Sequence, residues 1–209
     1  MKAFGRILLL VTAAGAAFAQ QWEFGVVGGG SFLNHVNVNG GAATAGFEPG
    51  FVAGAYLGQT MGRHYGGEIR YEFMQSNLQL KSGGQSATFS GQAHALHYDF
   101  LIHTNSKEAK VVAFAAVGGG MKFFQGTGTE AAYQNLSQYG YFTKTHQLKP
   151  MISVGGGVMF NASQRVHVRV EVRDFITAFP QDIITPPPGV KYGSVLNQIV
   201  PMVGVDYIF

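Results

Sequence analysis

Val203-Gly204-Val205-Asp206-Tyr207-Ile208-Phe209 closes the sequence, and its alternation decides how the rest is read. At a period of two, Val203, Val205, Tyr207 and Phe209 share one face, and Met202, Gly204, Asp206 and Ile208 share the other. This is an amphipathic strand that ends on an aromatic residue at the chain terminus. In a soluble sheet such a strand leaves an apolar edge open. In a closed transmembrane β-barrel it has a partner, because the last strand pairs with the first and no unpaired edge faces lipid.

The other end supports export. Lys2 and Arg6 precede the apolar run Ile7-Leu8-Leu9-Leu10-Val11, and Ala17-Phe18-Ala19 supplies a small-x-small cleavage site before Gln20. That pattern is a secretory signal peptide, predicted to span residues 1–19 and to leave 20–209 as the mature domain. Its apolar stretch dissolves well short of the roughly 20 residues a membrane helix needs, and no later segment reaches that length. Charged residues make up 12% of the chain, about half the usual share of roughly 25%. An exported chain so poor in charge needs a use for its apolar residues, and lipid-facing strands provide one. Losing Lys2 and Arg6 takes the fourteen basic residues to twelve, against eleven acidic. No basic run remains, so nucleic acid is not an implied partner. Cysteine is absent, which removes disulfides and thiolate metal sites.

Eight stretches read as strands: 22–33, 47–60, 64–77, 88–103, 109–125, 147–161, 164–178 and 197–209. Each is close to the ~9–11 residues of a tilted transmembrane strand. The triplets Gly28–Gly30, Gly118–Gly120 and Gly155–Gly157 lie inside these strands with no helix pattern after them. They are read as relief of crowding in a tightly coiled sheet, not as phosphate loops. Connections alternate in length. Met61-Gly62-Arg63, Thr104–Glu108 and Asn161-Ala162-Ser163 are short; Asn34–Gly46, Gly126–His146 and Pro180–Val195 are long. Short periplasmic turns and long outer loops are the habit of outer-membrane barrels, and an even strand number puts every short connection on one side. The expected fold is therefore all-β, a single closed eight-stranded antiparallel transmembrane barrel.

Strand faces follow from parity. Tyr65, Gly67, Ile69, Tyr71 and Phe73 alternate with Gly66, Glu68, Arg70 and Glu72; Val166, Val168, Val170 and Val172 alternate with His167, Arg169, Glu171 and Arg173. In a barrel the apolar rows, including Leu96, Tyr98, Phe100 and Ile102, meet lipid and the charges face the lumen. An Arg on the lipid face near mid-membrane would cost about 2–4 kcal/mol. The predicted lumenal network comprises Glu68, Arg70, Glu72, His97, Asp99, Lys122, Arg169, Glu171, Arg173 and Asp206. Counting up from the turns sets Glu72 near Arg169 and Arg173, and Arg70 near Glu171. Eight strands enclose a space that side chains fill, so these charges should pair. Trp22, Phe24, Tyr65 and Phe209 are expected as ring anchors at the periplasmic rim, and Phe123, Phe124 and Phe175 at the outer one. Tyr133, Tyr139, Tyr141 and Phe142 in the longest loop are candidate contacts for a surface partner.

Catalytic, cofactor and metal sites are not expected. His94 and His97 have opposite parity and cannot share a lumenal ion; His35 and His146 belong to different loops. Ser90 near His94, Ser153 near Glu171 and the His103-Thr104-Asn105 fragment lack the spacing of a hydrolytic triad.

With these features assembled, the chain resembles the OmpA-like family of eight-stranded outer-membrane β-barrel domains. The resemblance covers the whole mature chain and is carried most specifically by Gly155-Gly156-Gly157-Val158, by Arg169-Val170-Glu171-Val172-Arg173-Asp174-Phe175 and by Tyr207-Ile208-Phe209. The ending also resembles the C-terminal assembly signal of bacterial outer-membrane proteins, with Gly204, Tyr207 and Phe209 in place and Met202 a weak stand-in for its polar position. The resemblance implies location in the outer membrane, contact with its lipid, and insertion by the barrel-assembly machinery through the last strand. The function expected is structural, in envelope integrity, or interaction with a surface partner through the outer loops, without enzymatic activity or a cofactor. The alternatives are a narrow ion-conducting pore and, ranked lower, a hydrolase acting on lipid A.

Overall fold

Eight of the alternating stretches carry β-branched or aromatic residues on one face and charged or glycine residues on the other, and each becomes one stave of a closed sheet. The structure, a computed structural model, describes residues 21–105 and 109–209; the expected signal peptide lies outside the described residues. In chain order the strands are β1 (Trp22–Leu33), β2 (Val36–Val38), β3 (Ala43–Phe47), β4 (Gly50–Thr60), β5 (Tyr65–Gln75), β6 (Leu78–Ser82), β7 (Gln85–Phe89), β8 (Gly91–His103), β9 (Val111–Gly126), β10 (Tyr141–Phe142), β11 (His146–Asn161), β12 (Val166–Ala178), β13 (Ile184–Thr185) and β14 (Val195–Ile208). Strands β1, β14, β12, β11, β9, β8, β5 and β4 form a closed antiparallel barrel in that order. Closure is between the ends of the chain, with Phe24 opposite Tyr207 and Val26 opposite Val205. Phe209 N donates to Trp22 O at 3.1 Å at the foot of this seam.

The short connections gather at one end, here the turn end, and the long ones at the other, the loop end. The loop end is where the structure departs from expectation, because the long connections fold into further sheet. Strands β2, β3, β6 and β7 make a four-stranded sheet, and β10 pairs with β13. The stretch expected as one strand over 47–60 divides at Glu48-Pro49, since proline has no N–H for a ladder and sets its own φ. Residues before the break join the loop sheet as β3, and residues after it enter the barrel as β4. The β6–β7 hairpin closes through Gly83 and Gly84, at φ of +55° and +78°, the positive pair that a two-residue turn demands.

Side chains inside form three layers. The loop end is filled by a hydrophobic core that includes Phe47, Leu78, Leu80, Phe124, Phe175, Phe179, Ile184 and Leu196. Phe47 stacks on Phe124 with centroids 5.6 Å apart. Below it lies the layer of charges, and near the turn end a small cluster of Leu101, Val112, Phe114, Ala116 and Met159. This corrects the expected rim: Phe124 and Phe175 are fully buried inside and are not outer anchors. Parity gives the reason, for each stands two residues from an inward charge, Lys122 and Arg173. Outside, Phe24, Val26, Ile69, Tyr71, Leu96, Tyr98, Val170, Val172, Val203 and Val205 are all exposed. No described protein layer covers these rows.

Candidate functional site

The charged layer is built from inward positions of β5, β8, β12 and β14, joined by Lys122 of β9 and Glu23 of β1, and register shows how it fits. Almost every large ionic side chain stands opposite a glycine on a neighbouring strand. Glu72 faces Gly54 and Glu68 faces Gly58; Asp99 faces Gly118 and His97 faces Gly120. Arg173 faces Gly155 and Glu171 faces Gly157, while Arg169 faces Gly204 and Asp206 faces Gly25. A Cβ on Gly118 would lie 2.0 Å from Tyr98 O and 2.2 Å from Asp99 Oδ1, and one on Gly155 2.6 Å from Arg173 Cδ. The glycine triplets of β9 and β11 thus clear the space into which charged side chains of β8 and β12 lean.

All ten residues expected in the lumen are buried there. Arg70 Nη2 lies 2.5 Å from Glu171 Oε1, Arg70 Nη1 2.9 Å from Glu68 Oε2, and Arg70 Nη2 3.1 Å from Glu72 Oε1. Arg169 Nη1 reaches Glu68 Oε1 at 2.7 Å and its Nε reaches Asp206 Oδ2 at 3.2 Å. Arg173 Nη1 reaches Asp99 Oδ2 at 2.6 Å and its Nη2 reaches Glu171 Oε2 at 3.0 Å. His97 lies between Asp99 Oδ1, 3.1 Å from Nδ1, and Glu72 Oε2, 3.4 Å from Nε2. Lys122 donates to Gln198 and lies over the Phe124 ring, 4.7 Å from its centroid.

One pairing differs from the simple count. Glu72 takes Arg70 and His97, and it is Glu68 that sits between Arg169 and Arg173, 3.6 Å from the latter. Barrel strands tilt by roughly 35–45°, so positions equally far from the turns do not lie at equal heights across the lumen.

Three contributors were missed. Tyr56 of β4 is buried with Arg70 and Arg169 over its ring, 4.8 Å and 4.4 Å from the centroid, and its hydroxyl donates to Asp206. Glu23 of β1 is buried 3.8 Å from Arg169 Nη2. His167, recognised on the polar face of its strand, joins Glu23 and Asp206 in a group whose ligand atoms all lie within 4.8 Å of one another. Parity alone could have found Tyr56 and Glu23, since each shares the inward face of its strand.

The other candidates stay apart. His94 points outward and pairs with Tyr71 Oη at 2.8 Å. His35 contacts Gln79 at 3.1 Å and His146 stacks on Phe123. Ser153 lies opposite Phe175 and Glu171 opposite Gly157, offset along the β11–β12 ladder; Thr104 Oγ1 donates to Ala113 O. In the longest loop Tyr133 is 81% exposed and Tyr141 is exposed, whereas Phe142 is buried and Tyr139 packs on the loop core. Phe142 is withdrawn as a contact residue, because it stacks on Phe89 at 5.7 Å and its backbone is held at both ends by Gln134.

The eight antiparallel strands, closed between β1 and β14, match solved structures along nearly the full length. Neisserial surface protein A aligns over 89% of this chain and 97% of its own at 10% identity, with a TM-score of 0.57. The fold is that of the small eight-stranded OmpA-like barrels. The N-terminal β-barrel domain of Pseudomonas aeruginosa OprF also aligns, at 11% identity over 90% of this chain and 97% of that domain, with a TM-score of 0.47. No protein-family model matches the sequence, and no curated protein does either.

Proposed function

We propose that the chain is an integral outer-membrane protein whose plugged barrel carries an ordered outer platform for surface interaction and envelope integrity. The single observation behind this reading is the buried ionic layer: Arg70, Arg169 and Arg173, each fully buried, are held by Glu68, Glu171, Asp99 and Asp206 across the whole section of the barrel. A hydrophobic core sits above it. Such packing serves a scaffold better than a conduit, and the exposed Val, Ile, Tyr and Phe rows suit lipid as their solvent. On this reading the turn end is periplasmic, the C-terminal strand with Gly204, Tyr207 and Phe209 is the handle for the barrel-assembly machinery, and the folded loops face outward. Loops that are already sheet lose little freedom on meeting a partner, and Tyr133 and Tyr141 are the rings placed to touch one.

Planar-bilayer recording tests the reading. The unmodified protein is expected to give no steady conductance, and Arg169→Ala or Glu72→Gln to introduce a leak. Steady, sizeable conductance of the unmodified protein would overturn the plugged barrel in favour of a pore. Lipid A from cells with and without the protein is expected to show the same acyl pattern by mass spectrometry; a changed pattern favours a hydrolase.

A further inference from the structure

The ionic layer holds more negative than fixed positive charge. Among the described residues the buried carboxylates are Glu23, Glu68, Glu72, Asp99, Glu171 and Asp206, and the buried Lys and Arg side chains are Arg70, Lys122, Arg169 and Arg173. The excess is concentrated at the turn end. There Glu23 and Asp206 come within 4.8 Å of each other, together with His167, on the adjacent strands β1, β14 and β12. Arg169 lies beside both, 3.2 Å from Asp206 and 3.8 Å from Glu23, and its shortest ion pair, 2.7 Å, is with Glu68. Two buried carboxylates held this close repel unless a proton or a cation lies between them, and a histidine beside them makes the place suited to a metal ion.

We propose that Glu23, His167 and Asp206 form a divalent transition-metal site, with zinc the best-suited ion. One imidazole nitrogen and two carboxylate oxygens are ligands zinc takes at about 2.0–2.2 Å, with a further position left to water. The magnesium and calcium preference for all-oxygen shells fits this set less well. His167 stands directly opposite Asp206 in the β12–β14 ladder, so both ligands come from one rung. Asp206 is oriented from outside the triad by Tyr56, whose hydroxyl donates to Oδ1, and by Arg169 at Oδ2. A carboxylate has lone pairs enough to keep both bonds while ligating, and such outer partners fix a ligand's direction. A cavity of about 460 Å³ at the turn end, lined by Gln21, Lys110, Asn161, Ser163 and Gln164, reaches one of the three ligands, His167. The site does not depend on where the barrel resides.

The test is zinc titration of the metal-stripped, detergent-folded mature protein against a chromogenic chelator. Expected is one equivalent bound, with a tenfold or greater loss of affinity in both His167→Ala and Glu23→Gln and no change in His64→Ala, which alters a histidine outside the triad. Zinc-edge X-ray absorption of the unmodified protein, which needs no variant to fold, is expected to report a single imidazole among oxygen ligands. Absence of stoichiometric binding, binding indifferent to His167→Ala in a folded variant, or a shell of two or more imidazoles would each overturn the proposal.

Discussion

Arg70 on β5 and Glu171 on β12 meet at 2.5 Å although their strands stand on opposite sides of the barrel, with no hydrogen-bonded neighbour in common. The same guanidinium holds Glu68 and Glu72. It is one of the ties between the two walls, beside Arg169–Glu68 and Arg173–Asp99. Replacing it leaves three carboxylates short of a cation in a space without room for much water. Arg70→Ala is expected to destabilise the barrel by about 3–5 kcal/mol, the range for removing one member of a buried ionic set. Urea unfolding in a lipid or detergent host measures it, and a cost below about 1 kcal/mol would mean that water or ions replace the tie.

Gly118 faces Asp99 across the β8–β9 ladder with no space for a methyl group, since a Cβ there would lie 2.0 Å from Tyr98 O and 2.7 Å from Asp99 Cα, far inside contact. Gly118→Ala is expected to cost about 1–3 kcal/mol through displaced backbone. Gly28→Ala is the control. A Cβ there would meet nothing nearer than Val52 O at 3.8 Å, and its cost should be negligible.

Val170 lies on the outward face of β12, 48% exposed, between the inward Arg169 and Glu171. If lipid is its solvent, Val170→Arg costs about 2–4 kcal/mol in a bilayer host. On a water-facing surface the same change would be nearly neutral. Folding equilibria of the variant in bilayers therefore report directly on which solvent this face meets.

Tyr192 anchors the loop platform. Its hydroxyl donates to Tyr139 O at 2.8 Å and its ring packs edge-on against Phe179. Burial raises its phenol above the ordinary tyrosine value of about 10. A group raised in the folded state contributes fully below its unfolded value and loses that contribution as pH climbs through the folded one. Tyr192→Phe should thus cost about 0.5–1.5 kcal/mol at neutral pH, for the lost hydrogen bond. The gap to the unmodified protein should narrow above pH ~10. Proteolysis of the loop end as a function of pH follows both.

Parity sorted the faces, and the termini with the alternating loop lengths decided for a barrel over a two-layer sheet. The alternation in 65–73 and 166–173 separated inside from outside because a period of two leaves a charge no third choice. The ends of the chain told which strands close the sheet. The loop sheets were hidden for an equally physical reason: β2, β10 and β13 span three residues or fewer, too few for a period to register, and β3 meets β6, as β10 meets β13, only across two intervening barrel strands. Phe124 and Phe175 were misplaced because aromatic character was weighed above position in the row. The same rule applied without exception would have put both inside, and would have added Tyr56 and Glu23 to the ionic layer. Counting residues set the height of Glu72 and not its contacts, Arg70 and His97, because strand tilt is a property of the closed sheet and leaves no trace in any one strand.

The rungs on which a glycine meets an ionic side chain make wall thickness and lumen content complementary. Volume withheld on one strand is used by the next, so the pair and not the residue is the unit that can change. Shortening Glu171 and Arg173 while Gly155 and Gly157 stay as they are would put small residues on both sides of the rung and hollow out a bore at that level. The edit touches a single stave, β12, and would turn a solid pillar into one hollowed at its waist, still capped by the apolar side chains of the loop end.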